Sequence, residues 1–125
     1  MKNAINWFEI PVKNFEKSKA FYETLFESEM EVMEMKDFGH IMAFLPTDGD
    51  NGAVGGSICA GPGYEPSQTG SLVYLNGGDD LSKPLSRVEK AGGKVIIPKT
   101  SLGPHGFMTQ FIDIEGNKVA LHSMN

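Results

Sequence analysis

The 125-residue sequence predicts an α+β fold, with two βαβββ modules forming a curved mixed β-sheet and the helices on its outer face. The main observation is an internal repeat. A strand-like segment over 5–12 precedes a helical pattern over 15–26, and a second strand-like segment over 71–75 precedes a second helical pattern. Phe15 and Leu81 occupy equivalent places in the two copies, 66 positions apart. Because a repeat constrains the whole fold, it predicts two half-sheets with a cleft between them, where function should be sought.

Composition and charge narrow the classes of function. The hydrophobic fraction of 40% is enough for a packed core, and the net charge of -5 argues against nucleic acid as a partner, because phosphate binding needs a basic face. The single cysteine, Cys59, excludes an intramolecular disulfide and fits a reducing compartment. The sequence shows neither a signal-peptide pattern nor a run of about 18 apolar residues. We therefore expect a cytoplasmic protein with no membrane partner.

The first module is predicted over about 4–61. Its first strand, 5–12, puts Phe8 and Ile10 on one face and Trp7 and Glu9 on the other, and Pro11 ends the regular pairing or marks an edge. Asn14 is a typical N-cap for the following helix, whose aromatic residues recur at helical spacing and form its buried stripe. Three further strands are expected over 30–35, 41–45 and 54–60.

The second module is predicted over about 70–124, and the two modules together make a single domain over 1–125. After the strand at 71–75, Asp80 or Ser82 caps a helix that ends at Gly92-Gly93. The turn-forming sequence Glu115-Gly116-Asn117 indicates a closing hairpin. The strands expected after the helix are 94–98, 107–113 and 118–123.

Four segments carry a resemblance to a known family. They are FEIPV at 8–12, FYETLF at 21–26, AGGKV at 91–95 and DIEGNKVAL at 113–121. Through these segments, the sequence resembles the vicinal oxygen chelate superfamily along nearly its whole length. This superfamily includes glyoxalase I, bleomycin-resistance proteins and extradiol dioxygenases. The resemblance implies a small single-domain, glyoxalase-like protein, and the site must be argued residue by residue because fold does not fix function.

The resemblance also implies where a metal would be bound. In the metal enzymes of the family, each module gives one ligand from its first strand and one from its last. Carried over to this sequence, those positions are Trp7, Gly55 or Gly56, Leu72 or Val73, and Ala120. A divalent ion needs about three or more nitrogen or oxygen donors, which these side chains do not supply. We therefore expect no metal site of the family type and no cofactor.

Strand alternation selects the side chains expected to line the cleft. If Trp7 and Ala120 face the cleft, then Glu9 and His122 face it as well. Ligand-binding residues are accordingly predicted at Trp7, Glu9, Ser57, Tyr74, Phe111 and His122. This mostly aromatic and apolar set with a few polar groups is typical of small-molecule pockets.

Glu9 and His122 are the ionisable pair of this set and the best candidates for catalytic residues. A carboxylate on an inward strand position must find a hydrogen-bond donor or shift its pKa upward. Three interpretations remain open: a structural contact between the half-sheets, a general base with an orienting partner, and a two-residue remnant of a metal site.

Other residues also admit a structural and a functional interpretation. Trp7 and Tyr74 either stack on a planar ligand or pack in the core. His105 lies in a Gly- and Pro-containing loop, where it is either a surface residue or part of a site. Cys59 is most simply a small buried side chain, because no cation or histidine stands beside it in the sequence.

The preferred hypothesis is a glyoxalase- or bleomycin-resistance-like protein that binds a small organic ligand in the cleft without metal. The alternative is a metal-dependent lyase, isomerase or dioxygenase, which would use Glu9 and His122 together with residues of a second subunit. A third hypothesis is a partner-binding module whose cleft is filled by its own aromatic side chains. In each case we expect a homodimer, since a two-fold partner is the commonest way to cover apolar sheet edges.

Overall fold

The computed structural model describes residues 3–48 and 52–125. The chain divides into two compact units, Met1–Pro66 and Ser67–Asn125. Each unit is a βαβββ module built on one four-stranded mixed sheet. The predicted α+β class and the two-module architecture are therefore confirmed.

The first unit follows the predicted order of elements. Its helix and strands are β1 (Trp7–Pro11), α1 (Phe15–Phe26), β2 (Val32–Met35), β3 (His40–Phe44) and β4 (Gly55–Ala60). The strand order is β1-β4-β3-β2, with β1 parallel to β4 and the other pairs antiparallel. The central strands β3 and β4 carry the most buried side chains of the sheet.

Helix α1 covers one face of this sheet. Asn14 caps the helix as predicted, because its side-chain oxygen accepts a hydrogen bond of 3.1 Å from the amide of Lys17. The C-cap of the helix is Glu27, which adopts the left-handed conformation with φ of 50°. The buried side of the helix carries Phe15, Ser18, Phe21, Tyr22 and Leu25. Ile10 and Ile58, register partners on β1 and β4, are buried as well.

The second unit has the same arrangement. Its elements are β5 (Val73–Asn76), α2 (Ser82–Leu85), β6 (Lys94–Ser101), β7 (Phe107–Ile112) and β8 (Lys118–Ser123). The strand order is β5-β8-β7-β6, with β5 parallel to β8 and the remaining pairs antiparallel. No helix among the described residues is long and apolar enough to span a membrane.

Helix α2 is much shorter than the predicted helix, which was expected to reach Gly92. Only Ser82–Leu85 is α-helical, and the chain continues in turns. The amides of Leu85 and Ser86 bond four residues back, to Leu81 and Ser82, whereas the amides of Arg87 and Val88 bond only three residues back. The α-helical ladder is therefore lost after one turn, although Val88 is still fully buried.

The start of α2 is fixed by an ion pair. The N-cap position is Leu81, which makes no side-chain cap bond, so neither predicted capping residue occupies it. Asp80 nevertheless accepts a hydrogen bond of 2.9 Å from the amide of Ser82. The same carboxylate oxygen lies 2.9 Å from Lys99 Nζ on β6. Hydrogen bonds from Lys99, and then from Ser82, lower the pKa of Asp80 to about 2.

Candidate functional site

In the first unit, the sheet face opposite α1 carries a distinct set of side chains. Register partners point to the same side of a sheet, and residues two apart on a strand share a face. Trp7, Glu9 and Pro11 of β1 pair with Gly55, Ser57 and Cys59 of β4, and Ser57 and Cys59 pair with Phe44 and Met42 of β3. We call this surface the Trp7 face; its side chains are those of Trp7, Glu9, Met42, Phe44, Ser57 and Cys59.

Trp7 is held on this face but remains accessible. Its ring packs edge-on against Phe44 at a centroid distance of 5.9 Å, and 44% of the residue is exposed. The neighbouring Gly55 makes room for the indole, because a Cβ at position 55 would lie 3.2 Å from Trp7 Cζ3. The indole therefore offers a positioned aromatic surface to a ligand.

The carboxylate of Glu9 has a partner that the sequence did not indicate. The hydroxyl of Tyr64 donates a hydrogen bond of 2.6 Å to Glu9 Oε1. This bond raises the pKa of Tyr64, with a smaller contribution from burial. Tyr64 lies in the Gly- and Pro-rich segment 61–67, where the sequence analysis placed no site residue. Its signal in the sequence was a lone aromatic residue among turn formers.

His40 supports Tyr64 from the other side. The His40 ring meets the Tyr64 ring edge-on at 4.9 Å and stacks on Phe38 at 5.9 Å. Its Nε2 lies 3.0 Å from the carbonyl oxygen of Pro62. Since a carbonyl can only accept, Nε2 is the donor. The imidazole therefore connects β3 to the segment that carries Tyr64.

Ser57 and Cys59 form a buried pair on β4. Ser57 Oγ lies 3.2 Å from Cys59 Sγ, and neither residue is exposed. Burial raises the pKa of the Cys59 thiol, so this thiol stays protonated near neutral pH. The prediction of Cys59 as a small buried side chain is confirmed. Ser57, predicted as a ligand-binding residue, lies on the Trp7 face with no surface of its own.

The second unit carries a shallow depression with a volume of about 540 Å³. We call it the Tyr74 depression; it is lined by Tyr74, Leu75, Asn76, Gly78, His122, Ser123 and Met124. Two of the predicted site residues, Tyr74 and His122, lie here. In the register of β5 and β8, Asn76 pairs with His122 and Tyr74 with Ala120. The side chains of Asn76 and His122 are therefore direct neighbours on one sheet face.

His122 is oriented by the loop between β6 and β7. Its Nε2 lies 2.7 Å from the carbonyl oxygen of His105, at the end of the short turn Gly103–His105. In this contact, His105 contributes its backbone, while the residue as a whole is exposed. The loop thus sets the direction of the imidazole in the depression.

Phe111 does not lie where the sequence interpretation placed it. It pairs with Val119, whereas Gln110 pairs with Ala120 and Met108 with His122. Phe111 therefore shares a face with Val119, on the opposite side of the sheet from His122, and it is fully buried. The expectation failed because a shift of one residue in register moves a side chain to the other face.

Glu9 and His122 belong to different units, and each has a partner within its own unit: Tyr64 for Glu9 and the His105 carbonyl for His122. Glu9 is exposed and His122 is half-buried, and the hydrogen-bond partner of each is thus supplied locally. A structural contact between Glu9 and His122, one of the three interpretations that the sequence left open, stays a prediction.

The residues present do not fit the metal site that the resemblance implied. Trp7 and Gly55 are register partners in the first unit, and Ala120 pairs with Tyr74 in the second. The indole and the methyl group offer no lone pair to a divalent ion, and glycine has no side chain. Within 3–48 and 52–125, no group of three or more His, Cys, Asp or Glu residues could hold a metal ion.

Comparison with known proteins agrees with the fold. The family model of the Glyoxalase/Bleomycin resistance protein/Dioxygenase superfamily matches residues 4–121. No curated protein matches the chain.

Three solved structures illustrate the structural similarity. Glyoxalase I from Zea mays is 18% identical, with a TM-score of 0.69 over 98% of this chain and 48% of that chain. The fosfomycin resistance protein FosX from Listeria monocytogenes is 15% identical, with a TM-score of 0.64 over 100% and 93%. A glyoxalase/bleomycin resistance protein/dioxygenase family enzyme from Burkholderia phytofirmans PsJN is 16% identical, with a TM-score of 0.68 over 96% and 98%. The chain spans about half the length of the maize protein, and identities this low show a shared fold alone.

Proposed function

We propose that this chain, which belongs to the Glyoxalase/Bleomycin resistance protein/Dioxygenase superfamily, binds a small organic ligand through Trp7 and Glu9 without a resident metal. The observation that carries the proposal is the exposed indole of Trp7 next to the carboxylate of Glu9 on one sheet face. Residues two apart on a strand lie about 7 Å apart, so one small molecule can touch both side chains.

The chemistry of this pair favours a planar ligand that carries a cationic or N–H donor group. The indole binds cations over its face and stacks on flat rings. Glu9 Oε1 already accepts from Tyr64, but an ionised carboxylate has about four lone-pair sites, so it can accept further hydrogen bonds. The net charge of -5 also favours the approach of a cation over that of an anion.

The remaining predicted residues take supporting roles in this proposal. Ser57 is fully buried and forms the floor beside Glu9 together with Cys59. Tyr74 and His122 supply ligand contacts in the second unit, at the Tyr74 depression. The proposed function is ligand binding. Glu9 would act as a catalytic carboxylate only on a ligand that contacts it.

A fluorescence titration tests the proposal directly. Trp7 is the sole tryptophan of the chain, so the intrinsic tryptophan emission reports on the proposed site alone. We expect phenyltrimethylammonium to change the emission saturably and benzoate to have no such effect. Glu9 is exposed, so Glu9→Gln should weaken binding of the cation by up to about fivefold, the usual effect of losing an exposed charge contact.

Glu34→Gln is the matched control for this titration. It removes the same charge from an exposed position on β2, where register with Ile41 places it on the other sheet face from Trp7. We expect it to bind the cation like the wild type. Equal weakening in both variants would show a non-specific effect of net charge and would contradict a site at Glu9.

We also propose that the protein is a cytoplasmic homodimer. The edge strand β2 exposes large apolar side chains, with Val32 at 47% and Met33 at 44%. An apolar strand edge is a ready surface for pairing, and a two-fold partner covers it most simply. Light scattering during size-exclusion chromatography should give twice the chain mass of 13.6 kDa, and a Met33→Lys variant should shift the protein towards the monomer.

A further inference from the structure

The hydrogen bond of His122 fixes the chemistry of its two ring nitrogens. Nε2 lies 2.7 Å from the carbonyl oxygen of His105. A carbonyl oxygen can only accept, so Nε2 carries the hydrogen. In the neutral ring, Nδ1 then holds a lone pair and acts as an acceptor. Since His122 lines the Tyr74 depression, its Nδ1 is a hydrogen-bond acceptor for a ligand bound there.

Asn76 supplies the complementary donor. Its Oδ1 accepts a hydrogen bond of 2.8 Å from the amide of Gly78, which identifies the oxygen end of the side chain. The NH₂ group is therefore the end left to donate to a ligand. Because Asn76 is the register partner of His122, the donor and the acceptor lie side by side.

The other lining residues favour a neutral and flat ligand. None of the residues that line the depression is Lys, Arg, Asp or Glu, so neither an anion nor a cation meets an opposite charge. Tyr74 is 48% exposed and gives a ring surface, and Met124 adds a polarisable thioether. The volume of about 540 Å³ lies in the range of small-molecule pockets.

We propose that the Tyr74 depression binds a neutral ring with a cis-amide edge, as in lactams, cyclic imides and cyclic ureas. The ring N–H donates to His122 Nδ1, and the adjacent ring carbonyl accepts from the NH₂ of Asn76. The plane of the ring stacks on Tyr74. This inference deepens the proposed small-molecule function by naming a ligand class for the second unit, and it rests on that function.

Uracil and its N,N′-dimethyl derivative are suitable probes. Both are flat and neutral, but the dimethyl compound has no N–H to donate. We expect uracil at millimolar concentrations to shift the amide NMR signals of 74–78 and 122–124 saturably. Dimethyluracil should bind about threefold to tenfold more weakly, the usual effect of losing one hydrogen bond.

Two substitutions at position 122 distinguish the roles of the two ring nitrogens. His122→Gln places an amide nitrogen near the position of Nε2, where it can still donate to the His105 carbonyl, but removes the acceptor at Nδ1. His122→Asn keeps an acceptor near Nδ1 and loses the donor to His105. We expect the preference for uracil over dimethyluracil to disappear in His122→Gln and to survive in His122→Asn. Thermal melts of both variants establish that each is folded.

A substitution at Asn76 tests the other half of the edge. Asn76→Asp keeps the oxygen that accepts from Gly78 but replaces the NH₂ donor with a second acceptor. Relative to the wild type, it should weaken the binding of uracil by about threefold to tenfold, the usual effect of one lost hydrogen bond.

The outcomes separate this inference from the function on which it rests. Equal binding of uracil and dimethyluracil to the wild type overturns the cis-amide pairing, while leaving a ligand site at the Tyr74 depression. Absence of saturable shifts with either probe overturns the inference for the depression altogether. In both cases, the titration of Trp7 emission with phenyltrimethylammonium decides the proposed function independently.

Discussion

The hydroxyl of Tyr64 donates a hydrogen bond of 2.6 Å to the carboxylate of Glu9, a residue 55 positions earlier in the chain. The bond connects the last segment of the first unit to its first strand. Because Glu9 lies two residues after Trp7 on β1, the same contact fixes the carboxylate beside the exposed indole. The geometry of the proposed ligand site therefore depends on a residue outside the sheet.

Glu9→Gln is expected to lower the pKa of Tyr64 towards the ordinary value of about 10. In the wild type, the hydrogen bond to Glu9 raises the pKa of Tyr64. A group whose pKa is raised on folding stabilises the fold below its unfolded pKa, and this contribution is lost as the pH rises through the folded pKa. An ultraviolet titration of tyrosine ionisation measures the shift. Tyr64→Phe, as the control, should remove the highest-pH step.

Asp80→Asn is expected to destabilise the protein at neutral pH and to have little effect near pH 2. The pKa of Asp80 is lowered to about 2, chiefly by the hydrogen bond from Lys99. A depressed carboxyl pKa stabilises the fold above the unfolded value of about 3.9, and this stabilisation is lost as the pH falls towards 2. Urea unfolding from neutral pH down to about pH 2 measures the difference in free energy of unfolding between the variant and the wild type.

Asp79→Asn is the control for the Asp80 experiment. It removes a neighbouring exposed carboxylate. Among the described residues, the ion pair of Lys99 is with Asp80 and not with Asp79. If the loss of stability relative to the wild type shrinks equally for both variants on acidification, the effect is one of general charge. That outcome would contradict a specific Asp80–Lys99 contribution.

Gly56→Ala is expected to destabilise the first unit by about 1–3 kcal/mol, the usual cost of overpacking a core. Gly56 is buried, and a Cβ there would collide with the ring of Phe8, its register partner on β1. Gly55→Ala is the matched comparison, because its Cβ would meet Trp7 Cζ3 at 3.2 Å, where the exposed indole can move. Urea unfolding should rank Gly56→Ala as clearly the less stable variant.

Divalent metal is expected to leave the stability of the protein unchanged. A ligand that binds only the native state at 100 times its Kd raises stability by about 2.7 kcal/mol. Protein purified without a histidine tag should contain no stoichiometric metal, and its melting temperature should not move with chelator or with Zn, Ni, Mn or Fe(II). Near-stoichiometric metal with a chelator-sensitive melt would instead favour the metal-dependent alternative, with Glu9 and His122 as the first residues to substitute.

Much of the fold followed from local patterns in the sequence. The N-cap at Asn14, the strand alternation that buries Ile10, and the alternation around Ala120 and His122 on β8 depend on near neighbours, and the structure has them as predicted. These features need only periodicity and side-chain type, which a single sequence contains.

The errors and omissions depend on relations that periodicity does not contain. The face of Phe111 depends on the register of a hairpin, and the early end of α2 depends on the change of Arg87 and Val88 to hydrogen bonds three residues back. Tyr64 was missed because its role requires the segment 61–67 to fold back on β1, and nothing in a run of turn formers indicates that contact. Much of the candidate site depends on such register and long-range contacts, which the periodicity of the sequence does not predict.

The buried Cys59 makes the rate of thiol modification a measure of how often the first unit opens. It is the chain's sole cysteine, it has no exposed surface, and it lies on β4, between β1 and β3. A thiol reagent can reach it only when this central strand opens, so the rate of modification in native buffer reports the opening of the first unit. A molecule that binds the Trp7 face should slow that reaction, so compounds can be screened by mass spectrometry without labelling the ligand or assuming a reaction.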